Sequence, residues 1–109
     1  MDAATVCAGL LRDSCALAVT LVDAAGRALA QAGDARYVEL AAAAPSPAAA
    51  ADREVYERRD DDTSRYALRL PSGAIVTVLF DERSSLGLVR LRVRAATPAL
   101  SSARVLGTT

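Results

Sequence analysis

The fold of this chain depends most on the segment 80–96, because its pattern fits two different secondary structures and each of them leads to a different kind of domain. With a period of two, apolar residues at positions 89, 91, 93 and 95 alternate with Arg90, Arg92 and Arg94, as in a half-buried strand. With the helical period, positions 86, 89, 93, 96 and 100 form one apolar stripe, beside which lie Arg83, Arg90 and Arg94. A strand would favour a cationic sheet that binds nucleic acid. A helix would favour a domain in which this segment covers a sheet.

Three features favour a helix over residues 85–97. The two alanines at 95 and 96 prefer helix to strand. The preceding residues supply a candidate cap and favourable negative charge, namely Asp81, Glu82 and Ser84. Thr97-Pro98 is expected to end or kink the helix. Gly87 opposes it by about 1 kcal/mol relative to alanine, and we expect its missing side chain to let the first turn lie close to the sheet.

Alternation and turn residues predict most of the other elements. A short helix is expected near residues 2–13, followed by a β-hairpin that turns at Asp23–Gly26. Further strands are expected at 54–58 and 65–70, and in the second of these Arg65, Ala67 and Arg69 form the polar side of the alternation. The segment 74–80, in which every residue except Thr77 is apolar, predicts a central strand that is covered on both faces.

The segment 36–52 leaves two alternatives open. Tyr37 and Leu40 have helical spacing, but Pro45 and Pro47 interrupt the pattern. One alternative is a kinked or split helix that restarts with Ser46 as its N-cap. The other is a flexible, alanine-rich linker.

The composition argues against an enzyme. The 109 residues include no histidine and two cysteines, so the usual general base and a cysteine-based zinc site are both missing. No glycine-rich phosphate loop follows a strand. The aspartates at 60–62 lack the glycine and the terminal carboxylate of a calcium loop. We therefore expect no catalytic residue, no cofactor and no metal site.

Charge and hydropathy limit the expected partners and location. The formal net charge is zero, which argues against a surface devoted to nucleic acid or anionic lipid. No apolar run is long enough to cross a membrane, and no basic N-terminal region suggests a signal peptide. We expect a cytoplasmic protein in which Cys7 and Cys15 are small buried thiols.

Two stretches resemble the Roadblock (dynein light chain roadblock) family. Residues 78–93, VLFDERSSLGLVRLRV, are similar to the end of the bacterial domain, where a central strand passes through an acidic, serine-containing turn into the last helix. Residues 21–34, LVDAAGRALAQAGD, resemble the family's first hairpin. The resemblance covers most of residues 5–100. It implies one domain over 1–109, with a core at about 5–100 and a short polar C-terminal tail.

The resemblance also implies a fold and a function. The fold is an α+β arrangement in the order αββαβββα, with a five-stranded antiparallel sheet and helices on both faces. Members are typically homodimers that pair their middle helices and third strands, and they serve as non-enzymatic platforms for Ras-like small GTPases. The bacterial gliding-motility and polarity activator is the most similar branch. By this resemblance the dimer or partner interface would include residues of these two elements, namely Tyr37, Leu40, Val55, Tyr56 and Glu57.

Other functions stay open at this point. One is a structural Roadblock-type subunit that pairs with a related protein and regulates no GTPase. A nucleic-acid module that uses Arg90, Arg92 and Arg94 is the less favoured alternative, because residues 81–96 around these arginines include no aromatic residue for base stacking. On the favoured helix, Arg83, Arg90 and Arg94 would form an exposed edge that is open to partners. The sequence departs from the family at Pro45 and Pro47, within the helix that usually forms the dimer.

Overall fold

The order of elements along the chain is αββαβββα, as the resemblance implied. The computed structural model describes residues 2–25, 27–42, 54–58 and 62–102. The helices of these residues are α1 (Ala3–Asp13), α2 (Ala35–Ala42) and α3 (Leu86–Ser102). The strands are β1 (Ala18–Val22), β2 (Ala28–Gly33), β3 (Glu54–Arg58), β4 (Thr63–Arg69) and β5 (Ile75–Asp81). The predicted α+β class is confirmed, and segment 86–102 is a helix rather than a strand.

The described strands form one antiparallel sheet in the order β2-β1-β5-β4-β3. The central strand is β5, which pairs with β1 on one side and with β4 on the other. Every residue of β5 except Asp81 is buried, as predicted for a strand covered on both faces. At one edge of the sheet lies β3, which within the described residues is paired to β4. The edge strand and its neighbour therefore form a hairpin-like ribbon beside the central strand.

Helices cover both faces of the sheet. Helices α1 and α3 cover one face, and their buried side chains join those of the strands in one large apolar cluster that includes Val6, Leu10, Val19, Val76, Val78, Val89 and Val93. On the opposite face α2 packs over a smaller cluster formed by Ala18, Val38, Ala41 and Leu79. The face under α2 also holds buried polar side chains, namely Thr20, Arg65 and Thr77.

Side-chain caps fix the beginnings of α1 and α3, and Asp34 caps α2 in the same way. At α1 the carboxylate of Asp2 accepts a hydrogen bond of 2.7 Å from the Thr5 amide. At α3 the cap is Ser85, whose hydroxyl accepts from the Leu88 amide at 3.1 Å. Ser84, one of the predicted caps, instead donates to the carbonyl of Ser14 at 2.6 Å. The turn before α3 is thereby attached to the end of α1.

Two expectations about α3 are wrong. The helix continues through Pro98 to Ser102 instead of ending at residue 97, and the alternative of a kink at Pro98 stays a prediction. A proline within a helix usually costs about 3 kcal/mol, but Leu100, which follows closely, is buried in the large apolar cluster and keeps the last turn in place. Gly87 does not bring the helix close to the sheet, because it is exposed and a Cβ there would meet only Ser85 Oγ at 4.0 Å.

The two cysteines differ in their surroundings, which corrects the expectation that both are buried. Cys7 is buried in α1, and burial raises the pKa of its thiol to about 11. Cys15 is exposed, because the chain leaves α1 there with a positive φ of 54°. Both are free thiols.

Several predictions lie outside the described residues. These concern the proline-interrupted part of the middle helix with Ser46, the glycine of the first hairpin turn, most of the aspartate turn, and the C-terminal tail. The part of the middle helix that is described, α2, begins at Ala35, close to its predicted start. Among the described helices, none has both the length and the apolar character needed to cross a bilayer.

Candidate partner-binding surface

The α2 part of the predicted interface is anchored on the sheet by one side of an amphipathic helix. Asp34 precedes the helix, and its carboxylate accepts from the Arg36 amide at 3.0 Å. Val38 is buried, whereas Tyr37 and Leu40 are half-buried and pack at the margin of the small apolar cluster. The guanidinium of Arg36 lies 4.9 Å from the centre of the Tyr37 ring. Both predicted α2 residues therefore keep part of their surface available to a partner.

The strand part of the predicted interface is divided between the two faces of the sheet. Val55 and Glu57 lie on the α2 face, opposite Ala67 and Arg65 of β4. Tyr56 points to the other face, where its ring lies 6.4 Å from that of Phe80. Alternation along a strand imposes this division. The fold thus brings four of the five predicted residues to one side of the sheet and places Tyr56 on the other.

Tyr56 is nevertheless one of the most exposed large apolar residues of the described part of the chain, at 45%. Its hydroxyl lies 3.3 Å from Ser64 Oγ, so the ring is held in position by a polar contact as well as by Phe80. The other exposed large apolar residue is Leu91, at 60%, on the outer side of α3. Tyr56 therefore offers an ordered aromatic surface at the edge of the sheet.

Arg65 links the two predicted parts of the interface, and sequence analysis missed it. Its side chain is 2% exposed, although alternation placed it on the polar side of β4. Nη2 donates to Glu57 Oε1 at 3.1 Å. Nη1 lies 3.4 Å from the carbonyl oxygen of Ala41 and 3.5 Å from that of Leu40. One arginine thus contacts the edge strand on one side and the last described turn of α2 on the other.

The arginines of α3 are engaged within the molecule. Arg90 Nη2 lies 2.6 Å from Glu54 Oε1, and Arg94 pairs with the other oxygen of the same carboxylate. Burial opposes the ionisation of Glu54, but the hydrogen bond from Arg94 and the charge of Arg90 keep its pKa below the ordinary value. The pKa of nearby Tyr66 is raised, mainly by burial and then by the charge of Glu54. This cluster fastens β3 to α3.

The third predicted arginine, Arg83, belongs to a different place. Its guanidinium lies 3.2 Å from Asp81 Oδ2, at the turn between β5 and α3. The predicted arginine edge is therefore divided between two ion-paired sites. In the described part of the chain, no group of three His, Cys, Asp or Glu residues is arranged to hold a metal ion.

Arg65 was missed because its sequence pattern is that of a solvated strand face. Arginines at 65 and 69 on either side of Ala67 resemble an exposed face. One signal was available: the strand predicted at 65–70 directly precedes in sequence the strand predicted to be covered on both faces, and a neighbour of such a strand can be covered on its second face too.

No model of a protein family and no curated protein matches the sequence of this chain. The fold does match solved structures. A Myxococcus xanthus MglB is similar over 91% of both chains, with a TM-score of 0.77 and 28% identity. A gliding protein MglB from Thermus thermophilus is similar over 91% of this chain and 85% of its own, with a TM-score of 0.71 and 22% identity.

A Roadblock/LC7 domain from Streptomyces avermitilis is similar over 94% of this chain and all of its own, with a TM-score of 0.68 and 18% identity. The last two similarities concern the fold alone. Together the matches support a Roadblock-like bacterial family, as the resemblance in the sequence implied.

Proposed function

We propose that this Roadblock-like protein is a non-enzymatic adaptor of the gliding-motility type, which binds a Ras-like small GTPase as a homodimer or heterodimer. The observation that carries the proposal is the similarity to Myxococcus xanthus MglB, which extends over 91% of both chains at 28% identity. The residues agree with it, since the described part of the chain offers an edge strand and a half-buried helix surface. The protein would act in the cytoplasm.

The proposed mechanism is a shift between conformations of the GTPase. A dimer joined through β3 and the middle helices would present one rigid surface, and this surface would bind one arrangement of the GTPase switch regions more tightly than the other. Tyr37, Leu40 and Val55 would contribute apolar area to the joined surface, and Tyr56 would contribute from the opposite face of the sheet. Such a platform changes populations without supplying a catalytic side chain.

The GTPase part is tested by mixing the purified protein with Ras-like GTPases from the same genome, each loaded with GDP or with a non-hydrolysable GTP analogue. We expect binding that depends on the nucleotide, measured by calorimetry, together with a changed rate of single-turnover GTP hydrolysis. Binding to none of these GTPases in either state would contradict this part of the proposal.

The dimer part is tested by sedimentation or native mass spectrometry over a range of concentrations. Tyr37→Ala and Tyr56→Ala each remove an aromatic side chain from the proposed interface, and we expect the dissociation constant to rise about tenfold or more. The matched control is Leu91→Ala, which removes another exposed apolar side chain, from the outer side of α3. A wild-type chain that stays monomeric at high concentration would contradict the dimer.

The second candidate is a structural Roadblock-type subunit that pairs with a related protein and regulates no GTPase. It is supported by one of the similar folds, an MglB with a tetrameric arrangement (24% identity, TM-score 0.70). Dimerisation without any GTPase binding would favour this candidate. Nucleic-acid binding is disfavoured because Arg90 and Arg94 are both paired with Glu54.

A further inference from the structure

Arg65 presents a physical problem that its surroundings must solve. A guanidinium stays charged at any physiological pH, and removing it from water is unfavourable unless other groups compensate for its charge and hydrogen bonds. Arg65 is 2% exposed, and among the described residues it is one of the largest side chains that are fully buried. The groups that surround it therefore show what the residue does in the fold.

On one side these groups are helix carbonyls. The oxygens of Leu40 and Ala41 lie in the last described turn of α2, at 3.5 and 3.4 Å from Nη1. Backbone carbonyl oxygens carry partial negative charge, so a cation is favourable beside them. The long distances make these hydrogen bonds weak individually, and the charge of the guanidinium adds an attraction to both carbonyl dipoles.

On the other side the compensating group is a carboxylate of the edge strand. Glu57 lies directly opposite Arg65 in the register of β3 and β4, and its Oε1 accepts from Nη2 at 3.1 Å. The Glu57 side chain is 39% exposed, so this end of the contact reaches the surface. The two terminal nitrogens of one planar group thus contact two different elements, which the single nitrogen of a lysine cannot do with the same geometry.

The apolar contacts of α2 lie elsewhere on the sheet. Val38 and Ala41 pack with Ala18 of β1 and Leu79 of β5. In the strand order, β4 separates β5 from the edge strand, so this apolar cluster does not extend to β3. The Arg65 side chain, which lies on β4, contacts both α2 and β3 and so connects the two elements.

We propose that Arg65 is a positioning residue, which holds α2 at a fixed distance from the edge strand so that both form one partner surface. The role in partner binding rests on the proposed function, whereas the linkage of α2 to β3 does not. Breaking the contact is expected to loosen these two elements while the α1–α3 face stays folded.

The linkage is tested by amide hydrogen exchange, measured by NMR, on Arg65→Met, Arg65→Lys and Glu57→Gln. We expect exchange of the amides in α2 and β3 to rise at least tenfold in Arg65→Met relative to those in β5. The rise should be smaller in Arg65→Lys, which keeps the charge, and in Glu57→Gln, which keeps an oxygen acceptor. Arg92→Met, which changes an exposed arginine of α3, serves as the control and should leave exchange unchanged.

If Arg65→Met does not fold, the two conservative variants carry the test alone. A rise of similar size in every element would indicate general destabilisation and would overturn the linkage. Unchanged exchange in α2 and β3 would overturn it as well.

The role in partner binding is measured separately, by the dissociation constant of the homodimer and of the complex with a GTPase. We expect Arg65→Met to weaken both by about tenfold and Arg65→Lys to restore part of the loss. Equal affinity of Arg65→Met and wild type would overturn this role and leave the proposed function intact. If the wild type binds no partner but the exchange pattern appears, the linkage is supported and the proposed function fails.

Discussion

The two faces of the sheet are stabilised in different ways. The face under α1 and α3 is one large apolar cluster, in which valines of both helices and of the strands interdigitate. The face under α2 holds smaller clusters, and between them lie the buried hydroxyls of Thr20 and Thr77 and the guanidinium of Arg65. The stability of the first face depends on the apolar surface area that is buried, and this area varies smoothly with side-chain size. The second depends on a few specific contacts, which a single substitution removes.

This difference shows how a small domain can separate stability from binding. A face that is already covered by close apolar packing is expected to change its conformation little when a partner binds. A face that is covered by α2 through a small apolar cluster and an arginine contact is expected to have lower local stability, and elements of low local stability are the ones from which binding surfaces are drawn. The following predictions test how far this contrast extends.

The largest effect is expected where the chain passes from β2 into α2. Gly33 has a φ of 112°, and a Cβ there would lie 2.5 Å from the Leu17 carbonyl oxygen and 2.9 Å from the Ala18 Cα. We expect Gly33→Ala to lower the free energy of unfolding by about 3 kcal/mol, through backbone strain and overlap. Chemical denaturation measures the change. A loss below about 1 kcal/mol would show that the α2 face tolerates more movement than the contrast implies.

The next effect compares matched valines on the two faces. Val93 of α3 is fully buried, and Val38 of α2 is 8% exposed in the smaller cluster. We expect Val93→Ala to lower the free energy of unfolding by about 2 kcal/mol and Val38→Ala by about 1 kcal/mol, because Val38 is less completely buried and lies in the smaller cluster. Thermal and denaturant unfolding of both variants check the difference. Equal losses would remove the contrast.

A smaller effect concerns the contact between β3 and α3. The folded-state pKa of Glu54 is below its ordinary value of 4.5, so this carboxyl adds stability above that pH and loses it as the pH falls through the folded-state pKa. We expect Glu54→Gln to lower stability by about 0.5–1 kcal/mol at neutral pH. The free energy of unfolding, measured from neutral pH down into the acid range, should then fall less steeply with pH in Glu54→Gln than in the wild type.

The matched control for Glu54→Gln is Glu82→Gln, at the exposed turn before α3. An acid limb as steep in Glu54→Gln as in wild type would contradict the assigned role of this carboxylate.

The smallest effect has the opposite sign. A Cβ at Gly87 would meet only Ser85 Oγ at 4.0 Å, and alanine is the better helix former. We expect Gly87→Ala to raise the free energy of unfolding by about 0.5 kcal/mol. Thermal unfolding measures the shift, and a destabilisation would restore the idea that α3 needs a glycine to approach the sheet.

Sequence patterns predicted the elements that depend on apolar period. The central strand at 75–81, the first hairpin and the sheet-facing stripe of α3 all follow from spacing, because their positions are set by burial. The prediction was wrong where a tertiary contact outweighs a local preference. Leu100 keeps α3 helical beyond Pro98. The prediction for Cys15 was wrong for a different reason, since this residue is exposed after the end of α1, where its backbone has a positive φ.

The candidate site was predicted less well than the fold. The resemblance supplied Tyr37, Leu40, Val55, Tyr56 and Glu57, and their role in an interface stays a prediction. The hydrophobic period did not predict that Tyr56 lies on the sheet face opposite α2, or that Arg65 is buried beneath α2. An arginine in an alternating strand has the same sequence pattern whether it is solvated or buried. A buried ion contact between elements that are distant in sequence has no local signature.

The strand order has a consequence for how the chain folds during synthesis. The central strand β5 is the last of the described strands to be made, and it pairs with β1 near the beginning of the chain. The first hairpin and the β3–β4 pair therefore leave the ribosome before β5 does. Until β5 is made, β1 and β4 each have one unpaired edge. Pairing between remote segments is slow, so nascent chains that stall before residue 75 should expose strand edges and depend most on chaperones.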